Sequence, residues 1–161
     1  MLRVLSVLSQ VEPRSPNLKI FVPFRFLNSE TFRAVEPFNG YIIPLVSDYD
    51  YAGYLKQRWH LNEKFINVEH DVVPTEEQLY SIWDCKHPWC GYDYEVSWGK
   101  CLGCTKISPL LMEATPNIWD TNPHWSQCDI VLANEARYKV PYHSHGQVKH
   151  CQFGRITPPC R

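Results

Sequence analysis

The chain has 161 residues, 44% of them hydrophobic and 20% charged, with sixteen Lys and Arg against seventeen Asp and Glu for a formal charge of -1. That balance excludes a disordered chain and argues against a non-specific electrostatic grip on nucleic acid, leaving room only for a local basic patch or local recognition. The length suits one sizeable core, so a single domain over residues 1–161 is expected, with its core at about 18–150 and residues 1–16 and 152–161 peripheral.

The first residues, M-L-R-V-L-S-V-L-S-Q-V, are too brief and too broken by serine for a signal segment, and read as an edge strand or a loosely held arm. No apolar run approaches the ~20 residues that span a bilayer, so a soluble, cytoplasmic protein is expected. After the Pro and Ser punctuation of residues 12–16, L-K-I-F-V-P-F reads as a buried strand. Asn28 or Ser29 then caps a short helix that ends near Pro37. Tyr41 to Val46 is a second strand, whose Pro44 suggests an edge position or an irregularity. Asp48 or Asp50 caps a helix with apolar groups at Tyr51, Tyr54, Leu55, Trp59 and Leu61.

Lys64 to Glu69 forms the third strand, and Thr75 with Gln78 forms a capping box at the start of the next helix. Three strand-then-helix units predict a parallel, right-handed α/β sheet. The second half changes rhythm. His87 to Ser97 alternates like a strand, a turn leads through Cys101 and Cys104 into another, Ser108 and Pro109 open a helix, and a last helix runs from His124 or Trp125 to Tyr138. The sheet is therefore expected to become antiparallel late. The tail V-P-Y-H-S-H-G-Q-V-K-H carries three histidines near a turn, and residues 157–161 read as a frayed end.

The chemistry concentrates in I-N-V-E-H-D-V-V-P, residues 66–74. Strand alternation puts Phe65, Asn67 and Glu69 on one side, with Asp71 to follow, and Ile66, Val68 and His70 on the other, which makes His70 either a packing residue or a support behind the metal ligands. Carboxylates at the carboxyl end of a parallel strand face the usual ligand position of an open α/β sheet. Oxygen ligands of this kind suit Mg²⁺ or Mn²⁺, which neutralise a diphosphate leaving group. The plainer alternative makes Asp71 a turn cap and Glu69 the partner of a surface arginine.

Asp129, early in the last helix, is placed to deprotonate an acceptor hydroxyl or simply to favour the helix dipole. Arg25 and Asp48 follow the first two strands and suit phosphate and ribose hydroxyls, or solvent. His143, His145 and His150 offer metal ligands; for His143 and His145 the alternative is exposed loop. Cys85, Cys90, Cys101 and Cys104 offer a four-cysteine zinc site, against buried free thiols. A Gly-x-Gly-x-x-Gly or P-loop cradle, a Gly-x-Ser-x-Gly elbow and the zinc-deaminase signature are absent.

The succession V-P-F-R, I-P-L-V-S-D-Y-D, F-I-N-V-E-H-D-V-V-P, H-P-W-C-G-Y-D-Y, L-G-C-T-K-I-S, W-S-Q-C-D-I and V-K-H resembles small glycosyltransferase-like proteins of the GT-A fold, including bacterial and phage ones. The resemblance covers about residues 18–150. It implies a mixed sheet with a parallel N-terminal part and helices on both faces. It implies a donor that is a nucleoside-diphosphate sugar and an acceptor that is a hydroxyl. Glu69-His70-Asp71 then stands where these enzymes carry an Asp-x-Asp motif, with Asp71 the principal ligand for Mn²⁺ or Mg²⁺, Glu69 its helper and His150 a returning ligand. Asp129 matches the base on the acceptor side, Gly103 and Cys104 lie near the donor sugar, and Trp89 shapes the acceptor wall. A loop between Tyr94 and Cys101 would exclude water. The chain is shorter than most such enzymes and lacks an extended acceptor domain, so acceptor recognition is minimal or activity has been lost. Two other readings stand beside it: a non-catalytic α/β module that binds a nucleotide or a protein, and a nucleic-acid binder built on a four-cysteine zinc ion.

Overall fold

The computed structural model describes residues 17–94 and 103–151. The buried run expected first is β1 (Ile20–Phe24), and its neighbour β2 (Tyr41–Pro44) pairs alongside in parallel with Pro23 level with Ile43. As Pro44 foretold, β2 is the sheet edge. Between them lies α1 (Ser29–Val35), capped by the Asn28 side chain, which accepts from the Glu30 N–H at 2.7 Å.

Helix α2 (Asp50–Leu61) begins with Asp50 rather than after it. The Asp50 carboxylate accepts the N–H groups of Val46 and Ser47 at 2.9 and 2.7 Å, so it fixes the incoming turn instead of capping the helix. These donors hold its carboxyl below the usual range.

Strand β3 (Phe65–Val68) is buried throughout and pairs in parallel with β1. A turn leads to β4 (Val72–Val73) and then to α3 (Glu76–Asp84), whose start carries the expected capping box. The Thr75 hydroxyl accepts from the Gln78 N–H at 3.2 Å, and the Gln78 side chain accepts from the Thr75 N–H at 2.9 Å.

The second half supplies β5 (Trp89–Asp93), β6 (Cys104–Ile107), α4 (Pro109–Ala114) and α5 (Trp125–Ala136). Strands β7 (Tyr142–Gln147) and β8 (Lys149–His150) follow where the sequence suggested only a turn. Hydrophobic alternation is missing there, and polar contacts hold the segment instead. Asp93 accepts the Tyr142 hydroxyl at 2.9 Å and the Ser144 hydroxyl at 2.6 Å, and the Gln78 amide donates to the Gln147 carbonyl at 3.0 Å.

The main sheet has the order β2-β1-β3-β6-β5-β7, with β6 alone running against its neighbours. The sheet thus turns antiparallel late, as expected, but β7 returns to parallel pairing with β5. One face carries Ile20, Val22, Ile66, Val68, Cys90 and Cys104 under α1 and α3. The other carries Phe21, Phe65, Trp89 and Ile107 under α2, α4 and α5. Helices therefore cover both faces, and no helix among the described residues is long and apolar enough to cross a membrane.

Strands β4 and β8 form a second, antiparallel ribbon with Val72 opposite His150. This register, together with the Cys151 N–H donating to the Asp71 carbonyl at 2.7 Å, brings the end of the chain's described part to the turn after β3.

Candidate active site

Glu69 extends the β3–β6 ladder by one step, since its N–H donates to the Gly103 carbonyl at 2.7 Å, and its own carbonyl then accepts from Val72 to close the turn. The side chain is only 8% exposed. One carboxylate oxygen accepts the Tyr94 hydroxyl at 2.6 Å. Burial pushes the Glu69 carboxyl well above the usual range, the Asp129 charge pushes it further, the Tyr94 bond pulls against both, and Asp71 adds to the rise.

Asp71 meets the ring returning on β8: His150 Nε2 lies 3.1 Å from its Oδ2. His150 in turn stacks on Tyr94 at 4.2 Å between ring centroids. Tyr94 is therefore the link between the buried Glu69 and the Asp71–His150 pair. His70 is not a packing residue of the opposite face. Strand β3 ends at Val68, so alternation stops, and His70 lines the cleft beside Glu69 with its Nε2 4.0 Å from Asp71.

The cleft encloses about 170 Å³ and is lined by Arg25, Asp48, Tyr51, Glu69, His70 and Trp125 among others. Arg25 and Asp48, both singled out by position after a strand, bond each other at 2.8 Å. His124 Nε2 stands 3.4 Å from the other Asp48 oxygen, and the Trp125 N–H donates to the Asp48 carbonyl at 2.9 Å. The Arg25 bond first, and the His124 charge with it, hold the Asp48 carboxyl below its ordinary value. The start of α5 is thereby tied to the loop before α2.

Asp129 sits in the second turn of α5 and acts on the same acid group, raising Glu69. Tyr51 feels the charge of both acids. Burial first, then Glu69 and Asp129, raise its phenol well above the ordinary value, and its oxygen accepts from the buried Asn67 amide at 2.9 Å. Tyr51, Tyr94 and His124 were missed in the sequence, where aromatic spacing marks core as readily as site.

Gly103, Cys104 and Trp89 do not line this cleft. Gly103 lies under the Tyr94 ring, where a Cβ would come within 2.2 Å of it. Cys104 is fully buried on the α1 and α3 face, and burial pushes its thiol up to about 12. Trp89 belongs to the opposite core, edge-on to Tyr142 at 4.9 Å. Cys101 and the water-excluding loop expected before it lie outside the described residues. Cys85 and Cys90 gather with His145 rather than with Cys104.

No protein-family model and no curated protein sequence matches the chain. Solved structures that share its architecture include the following two. A glycosyltransferase involved in the glycosylation of the major capsid of PBCV-1 is 15% identical, with a TM-score of 0.51 over 80% of this chain and 82% of that one. The protein A197 from STIV is 14% identical, with a TM-score of 0.57 over 84% and 85%. At such identities the likeness establishes the shared mixed α/β fold, which is that of a glycosyltransferase in the first case.

Proposed function

We propose that the chain is a metal-dependent glycosyltransferase that moves a sugar from a nucleoside-diphosphate donor to an acceptor hydroxyl. The observation that carries this reading is the meeting of Glu69, Asp71 and His150 at the carboxyl end of β3, with the Asp129 charge acting on Glu69, next to a cleft that also presents the Arg25–Asp48 pair. The fold of the capsid glycosyltransferase supports it.

The donor set fits Mn²⁺ or Mg²⁺. A carboxylate and an imidazole already stand side by side in Asp71 and His150, and the mutual repulsion of three acids is what a divalent cation would relieve. Asp71 and His150 are the ligands in this reading, with the remaining positions left to phosphate oxygens and water. Glu69, expected as a helper ligand, is engaged by Tyr94, and a cation close by would draw its raised carboxyl back toward the charged form. A cation bound there would neutralise the departing diphosphate.

Arg25 offers its planar donors to phosphate, and Asp48, still held by His124, accepts from ribose hydroxyls. The enclosed volume lies below the ~300–1,000 Å³ of ordinary small-molecule sites, so it takes one ring of the donor and leaves the rest in the open cleft. Asp129 takes the proton of the acceptor hydroxyl as the new bond forms.

A calorimetric panel of UDP-, GDP- and dTDP-sugars with and without Mn²⁺ tests the proposal. One donor should bind in a Mn²⁺-dependent manner, and Asp71→Asn should weaken that binding by about tenfold or more. Unchanged binding in Asp71→Asn removes the metal role, and no binding of any donor favours a non-catalytic module.

A further inference from the structure

Away from the cleft, three side chains from three separate elements converge. Cys85 is the residue that ends α3, Cys90 lies in β5 and His145 in β7. The two Sγ atoms and a ring nitrogen of His145 all lie within 4.8 Å of one another. His145 Nε2 is buried and has no hydrogen-bond partner among the described residues, although a buried imidazole nitrogen without one is costly. We infer that Cys85, Cys90 and His145 form a zinc site that fastens β7 to β5 and to the end of α3.

The chemistry of the three ligands selects the ion. Two thiolates and one imidazole suit zinc, whereas the carboxylate and imidazole of the cleft suit a harder ion. Tetrahedral zinc spreads its ligand atoms roughly 3.3–3.8 Å apart, so closure asks for a contraction of about an ångström. On binding, the Cys85 and Cys90 thiols each release a proton to solvent, and His145 coordinates through its lone pair. The fourth position falls to water, because Cys85 and His145 are only half-buried and leave the site open on one side.

The site is also held in place from below. Lys106 is 2% exposed, and its ammonium donates to the carbonyls of Cys85 and of His87, the latter at 2.6 Å. The Ser108 N–H donates to the Pro88 carbonyl at 3.1 Å. The loop that carries Cys85 toward Cys90 is thus fixed by a buried cation, and that cation favours the Cys90 thiolate. Burial raises the Cys90 thiol to about 12, with Lys106 opposing, which makes it an inert thiol until an ion displaces its proton. Burial first, and the neighbouring His143 and Lys106, lower His145, so its ring is neutral as a ligand must be.

Across the sheet Cys90 is level with Lys106 and Ile66, whereas the cleft begins past Val68. The zinc site is therefore separate from the Asp71–His150 pair. It bears on it through the chain, because β7 leads directly into the β8 segment that carries His150.

The test uses the full chain, reduced, stripped with a chelator and titrated with Zn²⁺ alone, then with Co²⁺ as a spectroscopic stand-in. About one equivalent should bind, with thiolate-to-cobalt bands, and His145→Gln and Cys85→Ser should each weaken binding by about tenfold or more. Cys128→Ser should bind as the parent does. Circular dichroism of each variant separates lost ligation from lost folding, and Cys85→Ser, at a half-buried position, serves if His145→Gln unfolds. No zinc uptake by the reduced chain, a Cys85–Cys90 disulfide in its place, or uptake that survives His145→Gln and Cys85→Ser overturns the inference. Loss of Mn²⁺ and donor binding in the cleft would leave it standing.

Discussion

The Tyr94 hydroxyl donates to the buried Glu69 carboxylate at 2.6 Å, while the Tyr94 ring covers His150. One side chain thereby serves the acid that burial would keep neutral and the imidazole that pairs with Asp71. A phenol is well suited to this, since its face stacks and its edge donates.

The Glu69 carboxyl has a folded pKa well above the ~4.3 it has in an unfolded chain. The folded state therefore retains a proton that the unfolded state releases. The sign follows: stability from this group is full below about pH 4 and is lost as pH rises, at up to ~1.4 kcal/mol per pH unit until the folded pKa is reached. Glu69→Gln should flatten that decline and raise the melting temperature at pH 8 more than at pH 5. Urea titrations at the two values check it, and an equal shift at both would remove the pH argument.

Gly103 and Tyr94 should couple strongly. A Cβ on Gly103 would meet the Tyr94 ring at 2.2 and 2.7 Å, so Gly103→Ala must displace the ring and with it the bond to Glu69. The expected loss is about 1–3 kcal/mol. In a Tyr94→Ala background the same change should cost far less. A double-mutant cycle measured by denaturant unfolding gives the coupling directly.

The N-terminus of α3 should behave as its sequence signature implies. Thr75→Ala removes the side-chain half of a complete capping box and should cost about 1 kcal/mol. Gln78→Ala should cost more than the box alone explains, because the Gln78 amide also holds the β7 carbonyl of Gln147. Hydrogen exchange at β7 amides should accelerate in Gln78→Ala and stay near the parent rate in Thr75→Ala.

The strands β1 to β3, the capping box and the edge role of Pro44 were legible because they rest on local patterns: apolar runs, a Thr three residues before Gln, a proline that cannot donate. The mixed character of the sheet was legible from the change of rhythm after α3. Strand β7 was not, because Tyr-His-Ser-His-Gly-Gln has no apolar alternation and is held by Asp93 and Gln78, which lie far away in sequence. In the site, Glu69, Asp71 and Asp129 could be picked out as acids at strand and helix ends. Tyr94 could not, since nothing in Tyr-Asp-Tyr-Glu says which ring turns toward an acid. The side of His70 was misjudged because strand alternation was extended past Val68, where the chain has already turned.

Arg25 and Asp48 give the last prediction. Both side chains are substantially exposed, with 42% and 33% of their surfaces open to solvent, so their bond is screened and adds little to folding. Arg25→Ala should therefore leave the unfolding transition nearly in place. If Arg25 receives a phosphate, the same change should weaken donor binding by about tenfold and reduce its dependence on salt, since a charge-assisted contact is lost. Arg25→Lys should recover the charge without the planar fork, and so recover only part of the affinity. Binding titrations at low and high salt decide it. A variant that melts early but binds its donor normally would make the Arg25–Asp48 pair a brace for the loop before α2 and nothing more.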